Sequence, residues 1–377
     1  FSEDDRRFMT RALELAHRGL YTTRPNPRVG CVIVRDGRIL AEGWTAPAGG
    51  PHAEASALRM AGEAVRGATL YCTLEPCAHY GRTPPCADAI VAAQPARVVV
   101  AADDPFEHVA GEGYARIRAA GIRLETGLLA DAARALNPGF HARLERGWPW
   151  VRLKLAASLD GRTAMASGES RWITGPAARQ DVHQLRARSC AVVTGIGTVL
   201  ADDPQLTARR EMLEDLDPFD LEFLERLPAL RVVLDAELRT PPEARVLADG
   251  GALLVSGDAV PPEARARYGE GARVEALPAP GGRVELRPLL ARLAELHCNE
   301  VLLECGPTLA GEALAQGVVD EFWLYQAPVL LGDRARPLAQ LGLDAMAERL
   351  RLRLRDVRRL GEDLRLILVP EATPEAP

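Results

Sequence analysis

Four residues of this chain have the types and the spacing of a catalytic metal centre. His52 precedes Glu54 by two residues, and Cys77 and Cys86 follow further along the chain. One histidine and two cysteines can hold zinc while a fourth position stays open for water. A glutamate close to the histidine can reach that water without binding the metal, and it can then carry a proton. The pattern predicts one Zn²⁺ ion per chain on His52, Cys77 and Cys86, with Glu54 as the proton shuttle.

Two other interpretations of these residues stay open at this point. The cysteines could belong to an unrelated core, or the zinc could only stabilise the fold. A structural zinc site normally has four protein ligands, and His79 is the one further residue at a suitable spacing. The H-x-E and P-C…C arrangement is typical of zinc-dependent base deaminases, which favours catalysis. The long gap between Cys77 and Cys86 departs from the short P-C-x-x-C loop of deaminases that act on nucleosides and nucleic acids.

The elements that position these residues alternate between helix and strand. Such alternation predicts an α/β sandwich. His52 and Glu54 then begin a helix, and Cys86 lies in the first turn of the next one, where both cysteines are easily deprotonated. The predicted helices are 2–17, 52–60, 84–93, 114–119 and 129–146, and the predicted strands are 29–34, 39–44, 68–73, 97–102 and 122–125.

A second α/β domain follows the sequence Gly-Trp-Pro-Trp at 147–150. We predict domains over 1–147 and 148–369, and a disordered tail over 370–377, which is rich in Pro, Glu and Ala. The segment 211–228 is predicted to be a surface insertion with a short helix. The predicted strands of the second domain are 151–155, 191–195, 231–235, 252–255, 300–304 and 321–328.

Composition argues against several classes of function. The formal net charge is −6 and no run of basic residues offsets it, which disfavours a broad nucleic-acid-binding surface. No apolar stretch approaches the roughly 18 residues of a membrane span. The acidic first residues lack the layout of a signal peptide, and seven cysteines in a chain of 377 residues favour a reducing compartment. We expect a cytoplasmic protein that binds a small molecule, with no nucleic acid or membrane as partner.

Two segments of the first half carry a family resemblance. They are Arg24-Pro-Asn-Pro-Arg-Val-Gly30 and Thr73-Leu-Glu-Pro-Cys-Ala-His-Tyr-Gly-Arg-Thr-Pro-Pro-Cys86. They resemble the bifunctional deaminase/reductase family of riboflavin biosynthesis, which implies a cytidine-deaminase-like α/β/α sandwich. The resemblance implies that Asn26 holds the pyrimidine edge and that His79 and Arg82 face polar groups of the substrate. On residue chemistry alone, Asn26 could be a turn residue between two prolines, and His79 could face solvent. Thr45 stands where that family usually has histidine.

Three segments of the second half resemble the reductase domain of the same family. They are Lys154–Thr174, Thr194–Thr207 and Glu304–Gly311. This domain has a dihydrofolate-reductase-like α/β fold and uses NADPH. The glycines of Gly306-Pro-Thr-Leu-Ala-Gly311 allow backbone N–H groups to approach a phosphate. The sequence lacks a full G-x-G-x-x-G, so without the resemblance it would be an ordinary strand-to-helix turn.

The resemblance implies two sets of contacts in this second domain. Arg186 and Arg209 suit a phosphate, although a solvated charge is the commoner role of arginine, and Trp172 would equally suit core packing. Lys154 and Asp202 are candidates to polarise the ribose, and Ala236 stands where the family has serine. The implied cofactor residues are Ala156, Trp172, Thr198, Asp202, Gly306, Pro307, Thr308, Leu309, Ala310, Gly311 and Glu312. The implied substrate residues are Lys154, Ser170, Arg186, Leu206, Arg209 and Glu304.

Together the two resemblances predict consecutive steps on one phosphorylated pyrimidine. The first step would deaminate 2,5-diamino-6-ribosylamino-4(3H)-pyrimidinone 5′-phosphate, and the second would reduce its ribosyl group to ribityl with NADPH. The resemblance also implies a homo-oligomer, either a dimer or a tetramer. The alternatives are a nucleoside or nucleic-acid deaminase with an unrelated appended domain, a non-enzymatic zinc module, and an enzyme with only one active half.

Overall fold

The computed structural model describes residues 1–80, 84–106, 109–269 and 271–371. The chain divides into two compact units, Phe1–Gly147 and Trp148–Pro377. Both units are α/β, as the alternation of elements predicts. Within these described ranges, the helices are too short or too polar to cross a membrane.

The first unit contains one five-stranded sheet with the order β2-β1-β3-β4-β5. β1 is antiparallel to both of its neighbours, and β3, β4 and β5 are parallel. A single apolar cluster joins the sheet to its helices. The strands are β1 Gly30–Arg35, β2 Arg38–Trp44, β3 Thr69–Leu74, β4 Arg97–Ala102 and β5 Arg123–Thr126. The helices are α1 Glu3–His17, α2 Ala53–Ala61, α3 Cys86–Ala93, α4 Glu112–Ala119, α5 Ala130–Leu136 and α6 Pro138–Arg146, and Gly62–Val65 is a 3₁₀ turn.

A glycine on β2 sets the position of α2, the helix that carries Glu54. A Cβ atom at Gly43 would lie 2.2 Å from the carbonyl oxygen of Ala53. Any larger residue would therefore push the first turn of α2 away from the sheet. The close approach of backbone to backbone fixes the start of α2, which is where the predicted metal ligand His52 lies.

The single helix predicted over 129–146 is wrong, because the chain forms two helices there. α5 ends at Leu136, and α6 begins with Pro138 as its first residue. Proline has no N–H group and its ring clashes with the preceding turn of a continuous helix. Asn137 lies buried between the helices, where its Oδ1 accepts from Arg28 N at 2.8 Å and its Nδ2 donates to Arg28 O at 2.9 Å.

The second unit contains a nine-stranded sheet with the order β11-β10-β9-β8-β12-β6-β13-β16-β15. Its strands are parallel from β11 to β13, and β16 and β15 are added antiparallel. β7 and β14 form a separate pair. The strands are β6 Trp150–Ser158, β7 Arg162–Ala164, β8 Ala191–Gly195, β9 Leu230–Leu234, β10 Ala252–Gly257, β11 Arg273–Leu277, β12 Glu300–Glu304, β13 Glu321–Ala327, β14 Arg336–Pro337, β15 Leu352–Leu360 and β16 Asp363–Pro370. The helices are α7 Pro176–Arg188, α8 Ile196–Asp202, α9 Pro218–Arg226, α10 Pro262–Ala266, α11 Leu286–Glu295 and α12 Pro307–Ala315, with 3₁₀ turns at Arg210–Met212, Arg245–Leu247, Pro280–Gly282 and Met346–Glu348.

The parallel part of this sheet is buried on both faces. Val192 and Leu302 belong to the apolar cluster on one face, and Val193 and Leu303 belong to the cluster on the other. This burial explains the continuous apolar runs from which β8 and β12 were predicted. The predicted helix within 211–228 is confirmed as α9, which Asp217 caps by accepting from Phe219 N at 2.8 Å.

The C-terminal end of the sheet was missed from the sequence. β15 and β16 form a hairpin whose β15 strand reads Leu-Arg-Leu-Arg-Asp-Val-Arg-Arg-Leu, so arginines obscure its apolar residues. Pro370 is the last residue of β16, and the predicted tail therefore begins too early. Residues 372–377 lie outside the described residues.

Candidate active sites

The structure brings the three predicted zinc ligands of the first unit together. His52 precedes α2, Cys86 is the first residue of α3, and Cys77 lies in the loop after β3. The His52 Nδ1 atom lies 3.6 Å from Cys77 Sγ and 3.4 Å from Cys86 Sγ. All three donor atoms lie within 4.8 Å of one another.

These distances fit a tetrahedral zinc ion. Zinc bonds of about 2.3 Å to sulfur and about 2.0 Å to nitrogen, at a tetrahedral angle, separate the two atoms by roughly 3.5 Å. The two nitrogen–sulfur distances lie on either side of that value. A nitrogen and two sulfurs are also the donor types that zinc prefers, and three protein donors leave one position open.

The two cysteines differ in their readiness to lose a proton. The Cys86 thiol and its backbone N–H donate to Cys77 Sγ, and with His52 they lower the pKa of Cys77 to about 4. The hydrogen bond with Cys77, together with burial, raises the pKa of Cys86. In the protein without a metal ion, Cys77 is therefore the readier of the two to lose its proton. A divalent cation supplies the positive charge that makes a second thiolate favourable.

Glu54 lies in the first turn of α2 with only 4% of its surface exposed. Burial and the negative charge of Cys77 raise its pKa, while His52 partly opposes them. A carboxyl group whose pKa moves towards neutrality is suited to accept and release a proton. Glu54 thus has the environment that a proton shuttle needs.

A second acid near this site was missed from the sequence. Asp104 follows β4, and burial followed by the charges of Glu75, Cys77 and Glu54 raises its pKa to about 7. Its Oδ1 atom accepts from Phe106 N at 2.9 Å. The available signal was its position after the carboxyl end of a parallel strand next to β3, where ligands bind in α/β sheets.

The structure describes two of the three residues that are predicted to contact the pyrimidine. Asn26 is half-buried before β1, and its N–H donates to Thr23 O at 2.9 Å, as in a turn. His79 is exposed, and its ring centroid lies 5.5 Å from that of Phe106. Arg82 lies outside the described residues. Thr45 is buried, and its Oγ1 accepts from Val29 N at 3.0 Å, so it extends the pairing of β1 and β2 past the open end of the hairpin.

The second unit contains a cleft of about 1350 Å³ at the carboxyl ends of β6, β8, β9 and β12. Its volume is large enough for a dinucleotide together with a substrate. Ala236 lies in its wall as well. The predicted residues that line the cleft are Lys154, Ala156, Ser170, Trp172, Arg186, Thr198, Asp202, Leu206, Arg209, Glu304, Gly306, Pro307, Thr308, Leu309 and Glu312.

Two of the implied cofactor residues do not line this cleft. Ala310 is fully buried in the apolar core, and its N–H donates to Gly306 O at 3.1 Å within α12. A Cβ atom at Gly311 would lie 1.9 Å from the carbonyl oxygen of Gln340. A cofactor contact at these two positions stays a prediction, and what the structure adds is that the missing side chain of Gly311 lets α12 pack closely against the backbone at Gln340.

Glu304 is the centre of a buried charged cluster in the cleft. Its carboxylate accepts from Arg186 Nε at 2.5 Å and from Arg186 Nη2 at 2.9 Å, and Lys154 Nζ lies 3.8 Å away. Burial alone would raise the pKa of Glu304, but the two cations outweigh it and lower that pKa to about 2. Burial also lowers the pKa of Lys154, and Glu304 opposes this shift. The guanidinium group of Arg186, which was predicted to suit a phosphate, therefore donates two hydrogen bonds to Glu304.

His183 also lines the cleft and was missed from the sequence. Its Nδ1 accepts from the backbone N–H of Arg209 at 3.1 Å, and Arg209 also lines the cleft. Burial and the charges of Arg186 and Arg209 lower the pKa of His183 to about 4. Trp172 is 67% exposed with Arg179 4.5 Å from its ring centroid, so the core-packing interpretation of Trp172 is wrong.

Comparisons with known proteins match both units of the chain. A family model described as the cytidine and deoxycytidylate deaminase zinc-binding region matches residues 2–102. A model described as the RibD C-terminal domain matches residues 149–366, which is more than half of the chain. The riboflavin biosynthesis protein RibD of Escherichia coli is 47% identical over 366 residues, covering 97% of this chain and 99% of the relative.

The chain belongs to the RibD family.

Two solved structures resemble this chain over nearly its whole length. Acinetobacter baumannii RibD aligns with a TM-score of 0.89 and 46% identity, covering 98% of this chain and 99% of that one. A Thermotoga maritima protein described as a diaminohydroxyphosphoribosylaminopyrimidine deaminase/5-amino-6-(5-phosphoribosylamino)uracil reductase aligns with a TM-score of 0.83 and 32% identity, covering 97% and 99%. The expected cytidine-deaminase-like and reductase folds are confirmed. The chain is a RibD-family enzyme of riboflavin biosynthesis, with a zinc-binding deaminase domain and a reductase domain of the NADPH-using kind.

Proposed function

We propose that the two units act in sequence on one phosphorylated pyrimidine. The first unit hydrolyses the 2-amino group of 2,5-diamino-6-ribosylamino-4(3H)-pyrimidinone 5′-phosphate and releases ammonia. The second reduces the ribosyl group of the product to ribityl. The observation that carries this proposal is the presence, in one RibD-family chain, of a complete zinc ligand set and a charged cleft of dinucleotide size.

In the first unit, His52, Cys77 and Cys86 would hold the zinc ion. When bound, zinc makes water a competent nucleophile near neutral pH. The buried carboxyl group of Glu54 accepts a proton from the attacking water and delivers it to the departing amine. Burial of Glu54 excludes bulk water, so the proton passes to the leaving group. Asn26, His79 and Arg82 would orient the pyrimidine.

In the second unit, the cleft fits NADPH and the pyrimidine ribose together. NADPH supplies the hydride when it is bound. The first turn of α12, from Gly306, lines the cleft and offers backbone N–H groups for a pyrophosphate. The cofactor would also contact Ala156, Trp172, Thr198 and Asp202.

The charged cluster supplies the proton that must accompany the hydride. Lys154 Nζ is buried and its pKa is lowered, so it can donate a proton to a ribose oxygen. Glu304 holds that ammonium group in place, and Arg186 in turn holds Glu304. Arg209 remains for the substrate phosphate, because it lines the cleft with Leu206 and no carboxylate pairs with its guanidinium in the described part of the chain.

Two further features belong to this proposal. A homo-oligomer, either a dimer or a tetramer, is supported by exposed Leu354, Val357 and Leu364 on the edge hairpin of the large sheet. Cytoplasmic location is supported by the seven cysteines, which form no disulfide with one another in the described residues. Light scattering on the purified protein tests the first feature, and a monomeric mass would contradict it.

The experiment that tests the function uses the purified, zinc-loaded chain and the diamino-pyrimidine phosphate. We expect ammonia with or without NADPH, and loss of NADPH absorbance only after deamination has begun. Ammonia release without NADPH oxidation would contradict the reductase half. Activity on cytidine or on a tRNA anticodon stem, with none on the pyrimidine phosphate, would contradict the deaminase half.

A further inference from the structure

The cleft of the second unit has two chemically different ends. β6, β12, β8 and β9 are neighbours in that order, and each contributes residues to the cleft. Lys154 and Glu304 are register partners on β6 and β12, at the reacting end. Neighbouring strands are about 4.8 Å apart, so β9 lies roughly 10 Å from β12. A dinucleotide with its nicotinamide at Lys154 therefore places its other nucleotide towards the end of β9.

The segment after β9 is a turn that buried groups hold in place. Asp235 and Thr240 are fully buried, and Asp235 Oδ2 accepts from Thr240 N at 2.6 Å and from Thr240 Oγ1 at 2.7 Å. Tyr268 Oη lies 3.1 Å from Leu238 O and 2.9 Å from Thr240 O. Hydrogen bonds therefore hold the turn at its two ends, Asp235 and Thr240, and at its centre, Leu238. The backbone of the exposed residues between them has a defined position.

This turn carries two charged residues at the border of the cleft. Glu237 and Arg239 both line the cleft, and Arg239 Nε lies 3.4 Å from Glu237 Oε2. Their side chains are 68% and 57% exposed. An exposed ion pair contributes little stability. Arg239 can therefore leave Glu237 and bind an incoming anion at small cost.

NADPH and NADH differ only in one phosphate, on the 2′-oxygen of the adenosine ribose. We propose that Arg239 binds this 2′-phosphate and gives the reductase unit its preference for NADPH over NADH. The guanidinium group matches phosphate with two parallel hydrogen bonds. Glu237 neutralises Arg239 in the free protein, and its negative charge repels the phosphate. Glu237 therefore limits the preference for NADPH over NADH. The inference rests on the proposed function, which takes a nicotinamide dinucleotide as the hydride donor.

Arg283 is one of the other arginines in the cleft lining that could take this role. It lines the same cleft, but its Nη1 atom lies 3.9 Å from Glu312 Oε2 on α12. α12 begins at Gly306, in the middle of the cleft, where the pyrophosphate would bind. Arg283 therefore lies against the second turn of α12, beside a carboxylate of that helix, whereas Arg239 lies on the turn that follows β9.

The test measures the affinities of NADPH and NADH for the full chain by titration calorimetry. The variants are Arg239→Gln, Glu237→Gln and Arg283→Gln. The control is Arg226→Gln, whose arginine pairs with Glu222 on α9 outside the cleft. We expect Arg239→Gln to weaken NADPH by roughly 10- to 100-fold, the effect of losing a charge-assisted hydrogen-bond pair, and to leave NADH unchanged. Glu237→Gln should tighten NADPH alone, and the control should change neither affinity.

The outcomes separate this inference from the function on which it rests. A wild-type chain that binds neither dinucleotide overturns the proposed reductase function. A wild-type chain that prefers NADPH, with the same preference in Arg239→Gln, overturns the assignment to Arg239. A larger loss of preference in Arg283→Gln than in Arg239→Gln also overturns it. Circular dichroism checks that each variant is folded, which we expect because both arginines are exposed.

Discussion

Replacing Glu304 with glutamine should destabilise the second unit and abolish reduction. The glutamine keeps the volume of the side chain but removes the charge that Arg186 and Lys154 share. Two cations then remain buried without a counter-charge. Breaking a buried ion pair in this way typically costs about 3–5 kcal/mol. Deamination should remain, because the deaminase site lies on other residues.

The lowered pKa of Glu304 leads to a similar value for its contribution to the free energy of unfolding. Its pKa falls from the ordinary 4.5 to about 2 in the folded protein. At roughly 1.4 kcal/mol for each pKa unit, the carboxylate contributes about 3 kcal/mol of stability at pH 7. Because the folded pKa is depressed, this contribution is complete above pH 4.5 and is lost as the pH falls towards 2. At pH 3 it should be about 1.4 kcal/mol.

The assay is urea unfolding followed by tryptophan fluorescence. Four of the five tryptophans (Trp148, Trp150, Trp172 and Trp323) belong to the second unit, so the signal reports mainly on it. The matched control is Glu225→Gln, which breaks an exposed ion pair with Arg210 and should cost at most about 1 kcal/mol. The reasoning is refuted if Glu304→Gln is as stable as the wild type at pH 7. It is also refuted if the difference does not shrink between pH 7 and pH 3.

Three further predictions concern the metal site and the packing of α12. Glu54→Gln should retain zinc, as measured by mass spectrometry, and should lower the deamination rate by roughly 10²- to 10⁴-fold because the proton shuttle is lost; an unchanged rate would remove Glu54 from the mechanism. Chelation should abolish ammonia release, which added zinc restores, while reduction of pre-deaminated substrate continues; a parallel loss of reduction would contradict two independent sites. Gly311→Ala should lower the unfolding free energy of the second unit by about 1–3 kcal/mol, because its Cβ would clash with Gln340 O. Gly197→Ala, whose Cβ would contact nothing within 4 Å, is the control, and equal stability of the two variants would argue against the clash.

The zinc site could be predicted because its determinants are local. Residue type selects the metal. Each ligand lies at the beginning of a helix or in the loop after a strand, and the ends of these elements can be recognised in the sequence. The departures concern contacts between distant segments. Asp104 and His183 carried no motif, and their shifted pKa values depend on burial and on charges from other elements.

The sequence by itself determined the domain order, the α/β class, the zinc ligands and the family. Residue types and short spacings are enough for these, because they depend on neighbours along the chain. Only the tertiary structure decided that Arg186 faces Glu304, 118 residues away, and that Gly311 packs against the backbone at Gln340. The tertiary structure also places Arg239 at the border of the cleft, on a turn that buried hydrogen bonds hold in place. A side chain that can bind a ligand can equally bind another part of the protein, and packing of distant segments makes that choice.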